Sequence, residues 1–183
     1  MDLEETTISS SRIYDGRVIN LRVDRVALPD GRETSREVVE HRGAVVVVAM
    51  DQAGHVAMVR QYRYPLGQVT LELPAGTLEP GEDPLTSAQR ELREETGLAA
   101  TAWEALMACY SSPGFCTEKM HFFLARVSGQ TAQATDADEN IEVVRLPLAE
   151  AVRRVEAGEI NDAKTALGIL AVARRTGVEG LTL

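Results

Sequence analysis

Glu91, Glu94 and Glu95 crowd into the run Arg90-Glu91-Leu92-Arg93-Glu94-Glu95. On a helix, residues four apart stack on one face. Glu91 and Glu95 would therefore project side by side, with Glu94 the next neighbour round. Like charges at that spacing repel by about 0.2–0.5 kcal/mol per exposed pair, and by more as water is withdrawn. An anionic cluster beside an apolar stripe asks for a cation. Hard carboxylate oxygens suit Mg²⁺ or Mn²⁺, with water or substrate phosphate completing the shell. The plainer reading is a solvated Glu/Arg face balanced by Arg90 and Arg93, and a glutamate-rich helix alone favours it.

The elements around the cluster are readable. Asp83 supplies an N-cap, and Pro84 fits the first helical position, where its missing N–H costs nothing. Gly97 is a natural residue to end the helix after Thr96. Leu85, Ala88 and Leu92 share one stripe that should be buried. Upstream, Pro74-Ala75-Gly76 reads as the end of a strand in a turn. Taken together, Gly76, five residues, Glu82, seven residues and then Arg90-Glu91-Leu92-Arg93-Glu94-Glu95-Thr96-Gly97-Leu98 fill every constrained position of the Nudix box, Gx5Ex7REUxEExGU. The chain therefore resembles the Nudix hydrolases. The resemblance implies an α/β/α sandwich around a mixed sheet, and metal-dependent attack of water on a diphosphate joining a nucleoside to a second group.

At 183 residues with 44% hydrophobic content, the chain allows one substantial domain with a core and a small appendage. A net charge of −9 argues against nucleic acid or an anionic membrane as partner, since those need clustered Lys and Arg. A phosphate substrate is compatible with that acidity only where metal and a few placed arginines reverse the local field. Cys109 and Cys116 make neither a CxxC pattern nor a disulfide framework, so reduced thiols in a cytoplasmic protein are expected. The opening MDLEETTISSSR has no apolar stretch of the signal-peptide kind, and no apolar run reaches membrane-spanning length.

Along the chain, Ser11 to Tyr14, Arg17 to Leu28 and Glu33 to Glu40 alternate like half-buried strands, with turns at Asp15-Gly16 and Pro29-Asp30-Gly31. They predict a small antiparallel sheet over residues 1–43, too thin to be stable alone. Residues 44–183 would form the main domain. Val45 to Met50 is a continuous apolar run, as in a strand buried on both faces. Strands are expected at His55 to Arg60, Gln68 to Leu73, Trp103 to Ser111, Lys119 to Val127 and Ile141 to Leu146. Helices are expected over Leu148 to Ala157 and Ala163 to Arg175. Thr131 to Asn140 is polar and acidic with no apolar periodicity, and within it Asp136 to Asn140 suits a mobile loop closing over substrate.

The flanks narrow the resemblance to the bacterial ADP-ribose pyrophosphatases. The matching segments are SPGFCTEK around Pro113, Tyr14-Asp15-Gly16-Arg17, Glu37-Val38-Val39-Glu40-His41, VRQYR ending at Arg63, LPAG ending at Gly76, and IEVVRL from Ile141. By this likeness the Ala75 carbonyl, Glu91 and Glu95 would hold Mg²⁺, or Mn²⁺. Glu94 would be a further ligand or a partner of one, and Glu82 a more distant one. Arg63 would hold the diphosphate, and Gly114 and Glu118 would line the terminal ribose site. Arg17, Val18 and Glu37 would contact adenine or its ribose. Glu139 is the expected general base, with Asp138 and Glu142 as alternatives. The N-terminal sheet would be exchanged across a homodimer. The implied reaction yields AMP and ribose 5-phosphate from ADP-ribose. Another sugar nucleotide such as GDP-mannose is the rival substrate, and an ADP-ribose-sensing domain the non-catalytic rival. Arg42 departs from the pattern, in which proline often follows the histidine, and this leaves the hinge at that point open.

Overall fold

The computed structural model describes residues 3–130, 132–134 and 140–178. Contacts divide it into two compact units, one formed by the chain through Gly43 with Cys109–Lys119, the other by Ala44–Ala108 with the chain from Met120 onward. The first unit holds strands β1 (Thr6–Asp15), β2 (Ile19–Ala27) and β3 (Glu33–His41), paired antiparallel in that order. β1 begins earlier than alternation alone predicts, because Thr6 and Thr7 still find partners in Ala27 and Val26. The loop of residues 112–118 is stitched to β3. Val39 N–H donates to the Phe115 carbonyl at 2.8 Å, and Thr117 N–H to the Val39 carbonyl at 3.0 Å.

The second unit is built on β4 (Ala44–Met50), every residue of which is buried. β4 runs parallel to β9 (Lys119–Gln130). Around them lie β5 (His55–Arg63), β6 (Gln68–Glu72), β7 (Ala75–Thr77), β8 (Leu98–Tyr110) and β10 (Ile141–Pro147), giving a mixed sheet. The central strand explains the layering. Val45, Val47 and Ala49 point to one face, where they join Ala88 and Leu92 of helix α1 (Pro84–Thr96). Val48 points to the other, against helix α3 (Ala163–Thr176), which packs on helix α2 (Leu148–Glu156). Approach there is close: a Cβ on Gly168 would sit 2.6 Å from Leu73 and 3.2 Å from Val48. This is the α/β/α arrangement the sequence implies, with the small antiparallel sheet at the N-terminus.

Trp103 belongs to the core side of α1, edge-on to Phe123 with ring centroids 6.5 Å apart. Its strand starts at Leu98, directly after α1, earlier than the residue pattern suggests. Gly97 accounts for this: at φ 66° it ends the helix and turns the chain straight into β8. Among the described residues no helix is long and apolar enough to cross a membrane.

These packing roles set an expected order of cost. Leu92, 1% exposed, sits between α1 and the sheet, so Leu92→Ala should lower unfolding free energy by about 2–5 kcal/mol. Asp83→Ala removes only the cap, in which Asp83 accepts from Leu85 N–H and Thr86 N–H, and should cost about 1 kcal/mol. Urea titrations of both variants check this; equal midpoints would contradict the assigned roles.

Candidate functional site

α1 presents its acids to the β7 turn. Glu95, 3% exposed, accepts a hydrogen bond from the Ala75 N–H at 3.0 Å. Glu91 lies against Gly76 so tightly that a Cβ there would fall 2.0 Å from its carboxyl carbon. The glycine at this position is thus required by the carboxylate one helix turn before Glu95. Ala75, Glu91 and Glu95, singled out from sequence, are brought together by this contact of strand and helix. Glu94 sits beside them, less buried.

Arg90 organises these acids. Its Nε and Nη2 fork both oxygens of Glu82, each at 3.0 Å. Its Nη1 donates to Glu91 at 2.7 Å and to Glu94 at 3.0 Å. Ser87 takes a further bond from Nη2 at 3.2 Å. The Arg90 fork, helped by the Glu79 N–H, pulls the Glu82 carboxyl down to about 2. Arg90 in turn is held protonated well above its ordinary range. Glu82 therefore serves the loop before α1 as well as the acid cluster. Among the described residues no three His, Cys, Asp or Glu side chains converge as a ready metal cluster; Arg90 is the cation that meets Glu91 and Glu94.

A second charged group lies on β5, β6 and α3. Arg63 grips Glu72 through Nε at 2.8 Å and Nη2 at 2.7 Å. Thr70 donates its hydroxyl to the same carboxylate at 2.7 Å, and Lys164 Nζ reaches it at 2.5 Å. Burial alone would push the Glu72 carboxyl up, yet Arg63, Lys164 and Thr70 together outweigh it and bring it to about 2. The charges of Glu95 and Asp162 also bear on Arg63, which links this group electrostatically to the box acids. Reading the sequence identified Arg63 but neither Glu72 nor Lys164. One signal existed: Lys164 follows the cap Asp162 in the first turn of α3, the end of a helix that disfavours positive charge.

The residues expected at adenine and the terminal ribose lie in the other unit. Arg17 and Val18 line a cavity of about 300 Å³ with Asn20, Glu40 and His41. Glu37 is exposed on β3, and Gly114 and Glu118 belong to the loop stitched to that strand. Glu118 approaches His41 Nδ1 at 3.8 Å, but that nitrogen accepts from the Gly43 N–H at 3.0 Å. Asp138 and Glu139 lie outside the described residues. The chain just before them is tied to α1, with Ala134 N–H donating to the Glu94 carbonyl at 3.0 Å and Gln133 to that of Glu95 at 2.6 Å. Glu142, exposed on β10, pairs with Arg60 at 2.8 Å.

Comparison with known proteins bears on the family and the fold. A family profile described as NUDIX domain matches residues 40–166, and one described as Nucleoside diphosphate sugar hydrolase N-terminal domain matches residues 5–39. The chain is similar to a protein from Bacillus subtilis (strain 168) named ADP-ribose pyrophosphatase, 45% identical over 169 residues and covering 91% of each chain. A protein of the same name from Mycobacterium tuberculosis is 43% identical over 169 residues, covering 91% of this chain and 82% of its own. A crystal structure described as that of an ADP compounds hydrolase matches with a TM-score of 0.84. It covers 98% of this chain and 100% of its own at 22% identity, a likeness of fold.

The depressed carboxyls predict an acid dependence of stability. Glu72 and Glu82 titrate at about 2 in the folded chain, against an ordinary value of 4.5. Their contribution is complete above the unfolded value and is lost as pH falls from there toward 2. The melting temperature of the wild type should exceed that of Glu72→Gln at neutral pH, and the gap should close over that acid interval. A gap that ignores pH would mean that Glu72 is not held ionised by its partners.

Proposed function

The chain belongs to the Nudix hydrolase family, and we propose that it cleaves the diphosphate of ADP-ribose, releasing AMP and ribose 5-phosphate, with a divalent metal, Mg²⁺ in first place. What carries this reading is the junction of β7 and α1, where Glu95 is bonded to Ala75 and Glu91 fits only against a glycine. The likeness to proteins named ADP-ribose pyrophosphatase over most of the chain supports the choice of substrate.

The residues fit a hard cation. The Ala75 carbonyl, Glu91, Glu95 and Glu94 offer oxygen donors only, and the bare backbone of Gly76 lets the Glu91 carboxylate lie against β7. When bound, the ion would offset charge on the diphosphate and make a water easier to deprotonate. Arg63 would bind diphosphate oxygens, and its guanidinium is already oriented by Glu72. Glu139 would accept the proton of the attacking water, since the box acids face the cation. Gln133 and Ala134, which precede Glu139 in the chain, are bonded to the Glu95 and Glu94 carbonyls at the end of α1. Gly114 and Glu118 are assigned to the terminal ribose, and Arg17, Val18 and Glu37 to the adenine nucleoside.

The N-terminal sheet is further proposed to mediate a homodimer. Every residue of β1 is exposed, and Ile8, Ile13, Tyr14, Val18 and Ile19 are each open to solvent in this small sheet and its first turn. A three-stranded sheet is too thin to stand alone, which favours a partner surface for it.

Three measurements test these assignments. With Mg²⁺ present, kcat/KM for ADP-ribose should exceed that for GDP-mannose and for nucleoside triphosphates, with AMP and ribose 5-phosphate as products. Glu139→Gln should lower kcat by about 10²–10⁴-fold and leave KM nearly unchanged. A preference for GDP-mannose would overturn the substrate, and a fully active Glu139→Gln would overturn the base. Sedimentation should show a dimer at micromolar concentration; a stable and fully active monomer there would remove the dimer.

A further inference from the structure

Glu72 is an unusual residue to find at 2% exposure. A buried carboxylate with cationic partners is often no more stabilising than apolar side chains of the same size, because desolvation consumes most of the attraction. Its position therefore asks for a reason beyond holding the fold together. The reason lies in what it does to its partners. Arg63 spends Nε and Nη2 on Glu72, which fixes the plane of the guanidinium and leaves Nη1 with no partner among the described residues. Lys164 Nζ is drawn to the same carboxylate, and to Asp162 at 2.9 Å. Both cations line a cavity of about 250 Å³ that is also bordered by Pro65, Leu66 and Asn161. The strand register keeps the group on one face, since Glu72 is opposite Val59 and Thr70 opposite Gln61. Thr70 adds its hydroxyl to Glu72 from that same face.

We propose that Glu72 is a positioning residue: it sets Arg63 and Lys164 side by side as a two-cation rest for the diphosphate of the substrate. This rests on the reading of the chain as a nucleoside diphosphate sugar hydrolase and adds two residues to it. Arg63, Lys164, Glu72 and Asp162 sum to no net charge, so the site does not attract anions by its overall field. It works by aim. A two-point fork leaves a guanidinium few orientations, so its free edge is in place before the anion arrives. Without Glu72, Arg63 would be free to turn toward the negative charge of Glu95, which already acts on it. Lys164 is the second contact, supplied by the first turn of α3.

The test is a double-mutant cycle on the full-length chain. Glu72→Gln, Arg63→Ala and the double variant are compared with wild type for kcat and KM on ADP-ribose with Mg²⁺. Binding of inorganic pyrophosphate and melting temperature are measured alongside. Glu72→Gln should raise KM and the pyrophosphate Kd by about tenfold while kcat stays within a few-fold, the pattern of lost uniform binding. In the Arg63→Ala background the same change should add little, because its effect runs through Arg63. Independent, multiplying effects, or a loss of melting temperature with KM unchanged, would assign Glu72 to the fold alone and overturn the proposal. Should Glu72→Gln fail to fold, Lys164→Gln decides: a several-fold rise in KM and Kd supports the paired rest, and wild-type values overturn it. A wild-type chain that leaves ADP-ribose intact yet binds pyrophosphate through Glu72 and Arg63 would refute the substrate and leave the positioning role standing. Hydrolysis of ADP-ribose with unchanged KM in every variant would do the reverse.

Discussion

Carboxylates crowded onto one helical turn must be held ionised and close without pushing the helix apart. At an effective dielectric of about 20, two charges about 4 Å apart repel by about 4 kcal/mol. Arg90 absorbs that repulsion by taking Glu82 on its fork and Glu91 and Glu94 on its remaining nitrogen. Everything else in the second unit is arranged to keep this turn where it is. Asp83 and Gly97 fix the ends of α1, Leu92 fixes its depth, and Gly76 lets a carboxylate lie on bare backbone. The balance is incomplete, since one guanidinium meets three carboxylates. A divalent ion entering there would compete with Arg90 for Glu91 and Glu94.

Much of this was legible in the residues. The box helix runs from Pro84 to Thr96 between the cap and the glycine that the sequence marks, and the apolar run from Val45 is the strand buried on both faces. These features are local: a cap, a turn glycine and a periodicity each act within a few positions. The Arg63 cluster was only half legible, because its members come from two strands and from a helix far along the chain. Nothing near Arg63 announces Lys164. The start of β8 was misjudged for a related reason. Its first residues, Leu98-Ala99-Ala100-Thr101-Ala102, have little strand character of their own and are placed there by Gly97 and the sheet.

The two charged clusters solve opposite problems with similar parts. Around Arg90 one cation serves three acids near the surface, where water screens part of the interaction. Around Glu72 one buried acid serves two partly exposed cations, and the loss of either partner would be costly. The overall charge of −9 therefore says little about either place. In the second cluster the group with a donor to spare is Arg63.

The connection from β6 to α3 bears on how the protein comes into being. Leu73 N–H bonds to the Thr165 hydroxyl at 2.9 Å, and β4 cannot complete its parallel pairing without β9. A chain emerging from the ribosome therefore displays the acidic helix long before the segments that lock the strands beneath it have been made. Such long-range closure slows folding and leaves apolar strands waiting in the open. Truncation ahead of α3 would take away the hydroxyl that holds Leu73 and the layer packed on Val48, although every residue of the acidic turn would be present.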